Sequence, residues 1–163
     1  MIESAAASLD LAIPDLAAME RLAGALASRA HAGDVLALWG TLGVGKTTFA
    51  RAFIRARPGG SAVTEVPSPT FTLVQVYELP QAEVWHFDLY RLAHPEDAWE
   101  LGIEEAFTNA ISLIEWPDRL GPHLPTARLD LEISIGPVPT ARRVRLAAHG
   151  TWPHRLEGLS QHV

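Results

Sequence analysis

The sequence predicts an α/β fold: a mixed, mostly parallel sheet with helices on both faces, in three layers, closed by a C-terminal antiparallel hairpin. Two observations predict it. Short apolar runs of strand length alternate along most of the chain with longer amphipathic stretches of helix length, the pattern of a sheet covered by helices. Near the end, two strand-like runs follow one another with only "GPVPTA" between them, which suits a hairpin. At 163 residues, 48% of them hydrophobic, the chain is long enough to bury its own core and short for two ordinary domains, so residues 1–163 are read as one domain.

The elements follow in order. "SLDLAI" (8–13) reads as a short strand, and a helix is expected from Pro14 to Ala30, with the proline in its first turn and Gly33 suited to its end. "VLALW" (35–39) is a buried strand and "KTTFARAFIRA" (46–56) a helix. "TFTLVQVYEL" (70–79) alternates enough for a strand, and "LPQAE" reads as a turn into the strand "VWHFD" (84–88). A helical stretch runs from "HPEDAWELG" into "EEAF", with Pro95 near its start, and "AISLIEW" (110–116) returns as a strand stopped by Pro117. "RLDLEISI" (128–135) and "RRVRLAA" (142–148) form the hairpin, and a short C-terminal segment closes the chain.

Composition excludes several classes of function. A net charge of −6 argues against direct binding of nucleic-acid phosphates, which needs clustered Lys and Arg. No apolar stretch approaches the ~20 residues that cross a bilayer, and the N-terminus "MIESAAASLDLAIPD" lacks the basic start and apolar core of a signal peptide, so a cytosolic location is expected. Without cysteine there is no thiol chemistry, and the seven histidines lack ligand spacing, which argues against zinc. Twelve of the thirteen basic residues are Arg; the single Lys is Lys46, a compact ammonium kept where a planar guanidinium would not substitute.

That lysine sits in "GTLGVGKT" (40–47), which matches G-x-x-x-x-G-K-[ST] with an apolar strand before it and an amphipathic helix after it. Gly40, Gly43 and Gly45 let the backbone curl with its N–H groups inward, and the positive end of the helix adds to that field, so the loop reads as a phosphate nest. Leu42, Gly43, Val44, Gly45, Lys46, Thr47 and Thr48 are the expected nucleotide contacts. Lys46 reaches the β- and γ-oxygens, and Thr47 is placed for Mg²⁺. The fold is then P-loop NTPase-like. The plain alternative is a glycine-rich turn that binds nothing.

Ligands of open α/β sheets lie outside the carboxyl ends of the parallel strands, and the strand 35–39 ends at this loop. If 84–88 runs parallel to it, Asp88 reaches the same edge. The antiparallel strand beginning near "PSPT" brings Thr70 there, and a helical crossover brings Glu115. Each has a plainer reading: Asp88 a solvated or capping acid, Glu115 a rim ion pair, Thr70 a polar turn residue, Trp116 a core aromatic. His86, inside the apolar strand, reads as a satisfied core histidine. Between the acids, the short and rigid Asp88 is expected on Mg²⁺. The longer Glu115, with Trp116 keeping bulk solvent away, is expected on the attacking water.

In this order and at these intervals, "LWGTLGVGKTTFARAF", "SPTFTLV", "HFDLYRL" and "EWPDRL" resemble the bacterial TsaE (YjeE) proteins, strongly over about residues 33–120 and weakly at the ends. The resemblance implies a small Mg²⁺-dependent P-loop ATPase needed for threonylcarbamoyl modification of a tRNA adenosine. It implies TsaB and TsaD as partners, with TsaD performing the transfer and tRNA met only through them. It further implies phosphate contacts over 43–48, Mg²⁺ at Thr47, metal or catalytic roles for Asp88 and Glu115, and functional neighbours in Thr70 and Trp116. It places the adenine contact at the strand-to-helix junction from Ile13 to Leu16. Where the family usually has Gly-Asp-Leu-Gly, this chain has Gly40-Thr41-Leu42-Gly43, so hydrolysis is expected to be slow or to lean harder on Glu115. Two other functions fit the same loop: a small-molecule kinase, for which no arginine-bearing lid is found beyond Arg51, Arg55 and Arg57, and a nucleotide-gated binding module with negligible turnover.

Overall fold

The computed structural model describes residues 7–163; residues 1–6, part of the stretch read above as lacking a leader and part of the domain read as 1–163, lie outside the described residues. Its elements are β1 (Ala7–Ile13), α1 (Leu16–Arg29), β2 (Val35–Trp39), α2 (Lys46–Ala56), β3 (Val74–Tyr77), β4 (Val84–Asp88), α3 (Ile103–Asn109), β5 (Ile111–Glu115), β6 (Leu129–Ile135), β7 (Arg142–Ala148) and the short α4 (Trp152–Arg155). The seven strands form one sheet in the order β1-β7-β6-β2-β5-β4-β3. β6, β2, β5 and β4 run parallel at its centre, while β3 pairs antiparallel with β4, and β7 antiparallel with both β6 and β1. The C-terminal hairpin is thus embedded in the sheet, with the first strand added to its outer edge.

Strand alternation divides the core. Leu36 and Leu38 face α1 and α2, where they pack with Leu22, Leu26, Phe49 and Phe53; Val35 faces the other side, with Phe87, Ile103, Ile114 and Leu120. The same alternation matters for polar residues. In β4, Val84 belongs to the α1/α2 side and Phe87 to the other, so His86 and Asp88 share the face of Val84. In β5, Ile111 and Leu113 lie on the α1/α2 side, which puts Glu115 on that face as well.

Beyond shifts of a single residue, four departures from the sequence reading have a local reason. Helix α1 begins after Pro14, because the Asp15 side chain accepts from the Ala18 N–H at 2.9 Å and caps the first turn. The strand expected over 70–79 shrinks to 74–77: Thr70 lies in a turn closed by Leu73 N–H to Pro69 O at 2.7 Å, and Leu73 takes a left-handed φ of 66° that no strand continues through. The helix expected from His94 onward is two pieces, a 3₁₀ stretch Pro95–Leu101 and α3, broken at Gly102 with φ 81°. Finally, β5 ends at Glu115, since Trp116 is left-handed at φ 58° and Pro117 opens another 3₁₀ stretch. No helix among the described residues is long and apolar enough to cross a membrane.

At the end of the sheet away from the glycine loop, Arg155 clasps Asp34 with two hydrogen bonds, one of them Nη2 to Oδ1 at 2.9 Å, and pins the C-terminal segment beside the start of β2. The inner stripe of α2 is what holds that helix on the sheet. Phe53 is wholly buried there, so Phe53→Ala is expected to cost about 3–5 kcal/mol. Urea unfolding should give a lower midpoint at an unchanged slope, and an unchanged midpoint would show that α2 is anchored by other contacts.

Candidate functional site

The loop between β2 and α2 needs its glycines for different reasons. Gly40, at φ 146°, has no room for a side chain: an added Cβ would lie 2.7 Å from the Ile133 carbonyl oxygen and 2.6 Å from Val44 Cγ1. Gly43 and Gly45 have space but positive φ values of 76° and 124°. Between them Val44 turns its side chain into the core, and its carbonyl accepts from Arg142 Nε at 2.8 Å, so β7 braces the loop from behind. Helix α2 then starts at Lys46 with no side-chain cap. Its leading N–H groups are left for whatever lies at the helix end.

A cavity of about 200 Å³ opens at this helix end, lined by the glycine loop and by residues from other elements. From the loop and α2 come Leu42, Gly43, Gly45, Lys46, Thr47 and Thr48; from elsewhere come Ser68, Thr70, Asp88, Glu115 and Trp116. The structure brings together nearly every residue singled out in the sequence. Val44, which is buried, and Leu16 do not line it; both line an adjoining cavity of about 210 Å³ that shares Gly45 and Thr48 with the first.

The contacts inside are specific. Thr47 Oγ1 donates to the Glu115 carboxylate, at 3.0 Å from Oε1 and 2.9 Å from Oε2. Asp88, opposite Glu115 in the parallel ladder, is held differently: Oδ2 accepts from Thr70 Oγ1 at 3.2 Å and Oδ1 from the Tyr90 N–H at 3.1 Å. Ser68 and Thr70 share a hydroxyl contact of 2.8 Å. Both acids are buried, at 5% exposure for Asp88 and 3% for Glu115. Their charges need partners there, because an unpaired buried carboxylate costs several kcal/mol.

Lys46 is one such partner. It is buried, and its Nζ donates to the carbonyls of Gly40 at 2.6 Å and Thr41 at 2.9 Å while lying 4.1 Å from the centre of the Trp116 ring. Burial lowers its pKa from the ordinary 10.5, opposed by the charges of Glu115, Asp88 and Asp118. Thr41 thus acts through its backbone. Trp116, weighed in the sequence as a core aromatic, is half-buried and walls the cavity; its left-handed backbone sets the ring between Lys46 and Tyr90, whose ring centre is 4.9 Å away.

His86 adds to the sequence reading. It is fully buried, as a core histidine would be, but its Nε2 lies 2.7 Å from Glu115 Oε2 and ties it to the site. The signal was present in the sequence: two residues before Asp88 in a strand is the same face. Ser68 sits in the "PSPT" segment that brings Thr70 to the edge and could have been found with it, whereas Arg142 gave no such signal, since it reaches the loop through long-range packing.

The chain matches the family described as "Threonylcarbamoyl adenosine biosynthesis protein TsaE" over residues 13–144. It is similar to the tRNA threonylcarbamoyladenosine biosynthesis protein TsaE of Rickettsia bellii, 39% identical over 116 residues that make up 71% of this chain and 79% of that protein. The protein of the same name from Synechocystis is 36% identical over 127 residues, 73% of this chain and 76% of the relative. Among solved structures it resembles the crystal structure of Bacillus subtilis YdiB, with a TM-score of 0.79 and 28% identity, covering 98% of this chain and 99% of that one.

Two outcomes follow from the geometry. Gly40→Ala should lower the thermal midpoint, because the clash with the Ile133 backbone carbonyl cannot be relieved by a side-chain rotation; an unchanged midpoint would refute the tight approach to β6. For Lys46, the lowered folded pKa means the unfolded chain holds the extra proton between that value and 10.5, so this group's contribution to stability rises with pH through the window. As the only lysine, its ¹³Cε signal is unambiguous in an NMR titration. Glu115→Gln should move the midpoint lower still, by removing a charge that favours the ammonium; an upward shift would contradict the pairing.

Proposed function

The chain belongs to the TsaE family, and from that premise we propose that it is a Mg²⁺-dependent ATP hydrolase serving threonylcarbamoyl modification of a tRNA adenosine, acting on a complex of TsaB and TsaD. The observation that carries the reading is the convergence of Lys46, Thr47, Asp88 and Glu115 on one cavity at the start of α2. An ammonium and a helix N-terminus suit phosphate, and a hydroxyl with two carboxylates suits a hard cation. The acidic chain, with its net charge of −6, is in keeping with meeting tRNA through partners.

The donor set fits Mg²⁺. Thr47 and Glu115 supply hard oxygens in contact with each other, and no group of three or more His, Cys, Asp or Glu side chains that could hold a metal occurs among the described residues. Nucleotide phosphates would have to complete the coordination, as is usual for this ion. Bound there, Mg²⁺ would neutralise charge building on the phosphate oxygens. Lys46, now on the Gly40 and Thr41 carbonyls, has a flexible stem that can swing its ammonium to the same oxygens. The adjoining cavity beside Leu16 has the apolar walls, Ile13, Met19 and Pro139 among them, that suit adenine.

The geometry favours a division of labour opposite to the one expected from side-chain length. Glu115 touches Thr47, the metal-side hydroxyl, whereas Asp88 touches Thr70 and a backbone N–H and is free of Thr47. We assign Glu115 to the metal and Asp88, with Thr70, to ordering the attacking water. Glu115→Gln should then lose about 10- to 100-fold of Mg²⁺-dependent ATP affinity. Asp88→Asn should bind ATP·Mg²⁺ nearly as the parent does and hydrolyse it about 10²- to 10⁴-fold more slowly in a single turnover. The converse pattern would restore the first assignment. The activity itself is tested by following ATP loss with the chain alone, with small hydroxyl acceptors, and with TsaB plus TsaD. Turnover stimulated by the two proteins supports the proposal; turnover only with an acceptor would indicate a kinase, and none at all a nucleotide-gated binding module.

A further inference from the structure

His86 is the one fully buried ionisable side chain among the described residues that touches the proposed metal side of the site without lining its cavity. Its ring has two nitrogens and the structure distinguishes them. Nε2 lies 2.7 Å from Glu115 Oε2, while Nδ1 is buried with no hydrogen-bond partner among the described residues. A carboxylate only accepts, so the interaction is favourable when the proton sits on Nε2. With that proton the ring donates to Glu115 and leaves Nδ1 bare.

The consequence lies in how Glu115 is oriented. Its Oε2 accepts from two directions, from Thr47 in α2 and from His86 in the neighbouring strand, while Oε1 is reached by Thr47 alone. His86 reaches it from inside the protein, on a strand paired in register with β5, where Leu113 stands opposite His86 and Glu115 opposite Asp88. With Oε2 anchored from behind, the carboxylate cannot turn away from Thr47 without losing a charge-assisted hydrogen bond. Carboxylates that hold metals are commonly oriented in this way by a buried donor.

We infer that His86 is a positioning residue for the Glu115 carboxylate, fixing it toward Thr47 for the cation, an assignment that rests on the proposed Mg²⁺ seat at Thr47 and Glu115. His86 does not line the cavity. Its effect should appear in the increment of ATP affinity that Mg²⁺ adds, and not in the affinity measured without metal.

The test compares the parent, His86→Gln and His86→Leu by calorimetric titration with ATP, in EDTA and in Mg²⁺, with thermal midpoints measured alongside. Gln keeps an N–H donor near the place of Nε2 and Leu keeps only bulk. All three should bind metal-free ATP within about twofold of one another. His86→Leu should lose about tenfold or more of the Mg²⁺ increment, and His86→Gln should recover most of it. A His86→Leu protein that keeps the parental increment overturns the assignment, as does a His86→Gln protein that loses as much as the Leu variant. Should His86→Leu not fold, ¹⁵N NMR of the parent decides: a proton on Nε2, in a signal absent from His86→Gln and displaced by Glu115→Gln, supports the assignment, and a ring protonated on Nδ1 alone overturns it. A parent whose ATP affinity is indifferent to Mg²⁺ overturns the metal seat and this assignment together, whereas loss of the Leu effect alone overturns only the latter.

Discussion

The hydrogen bond between the Thr47 hydroxyl and the Glu115 carboxylate joins the first turn of α2 to the end of β5, and much of the structure is arranged so that it can form. The two residues are 68 positions apart in the chain. They meet because β2 and β5 are parallel neighbours, with Leu38 opposite Glu115, so that the strand feeding the glycine loop and the strand carrying the acid end at one level. Parallel pairing requires the crossover through β3, β4 and α3, and that crossover also delivers Asp88 to the same edge. One sheet register thus sets the places of three polar side chains.

Such a cluster is costly to bury, and the protein meets that cost with opposed charges and donors instead of exposure to water. Glu115 has Thr47 and His86, Asp88 has Thr70 and the Tyr90 N–H, and Lys46 has two loop carbonyls and the face of Trp116. The acids and Lys46 act on one another without a direct ion pair: each carboxylate raises the proton affinity of the lysine, against the burial that lowers it. Trp116 adopts a left-handed backbone, an unfavourable conformation for a bulky residue, and its side chain packs against the core cluster that contains Leu120.

Much of this was legible in sequence because it rests on local rules. The glycine loop carries its own spacing, and β2, α2, β4 and β7 fall where apolar periodicity and the loop motif put them. Thr70, Asp88 and Glu115 could be brought to one edge by topology alone, since a hairpin reverses a chain and a helical crossover does not. What escaped was set by single backbone angles or by partners distant in sequence. Leu73 and Trp116 cut strands short through positive φ, which their residue types disfavour and no pattern announces. The placement of β1 outside β7, the brace from Arg142 to Val44, and the clasp of Arg155 on Asp34 all depend on which elements meet in space. His86 was visible in period two but read for its burial alone.

The departure at Thr41 can now be weighed on physical grounds. At this place the chain's contribution to the lysine is the Thr41 carbonyl, 2.9 Å from Nζ, and a carbonyl is common to every residue. Replacing an acid by threonine leaves that contact intact. What it removes is one negative charge from the mouth of the loop, where Thr41 is exposed and solvent screens whatever an acid would contribute. The charges that act on Lys46 from within are Glu115, Asp88 and Asp118, and the first two are buried where screening is weak. The electrostatic character of the cavity is therefore set by the strand ends and not by the loop start, and a chain lacking the loop acid depends the more on the two carboxylates that the sheet register holds side by side.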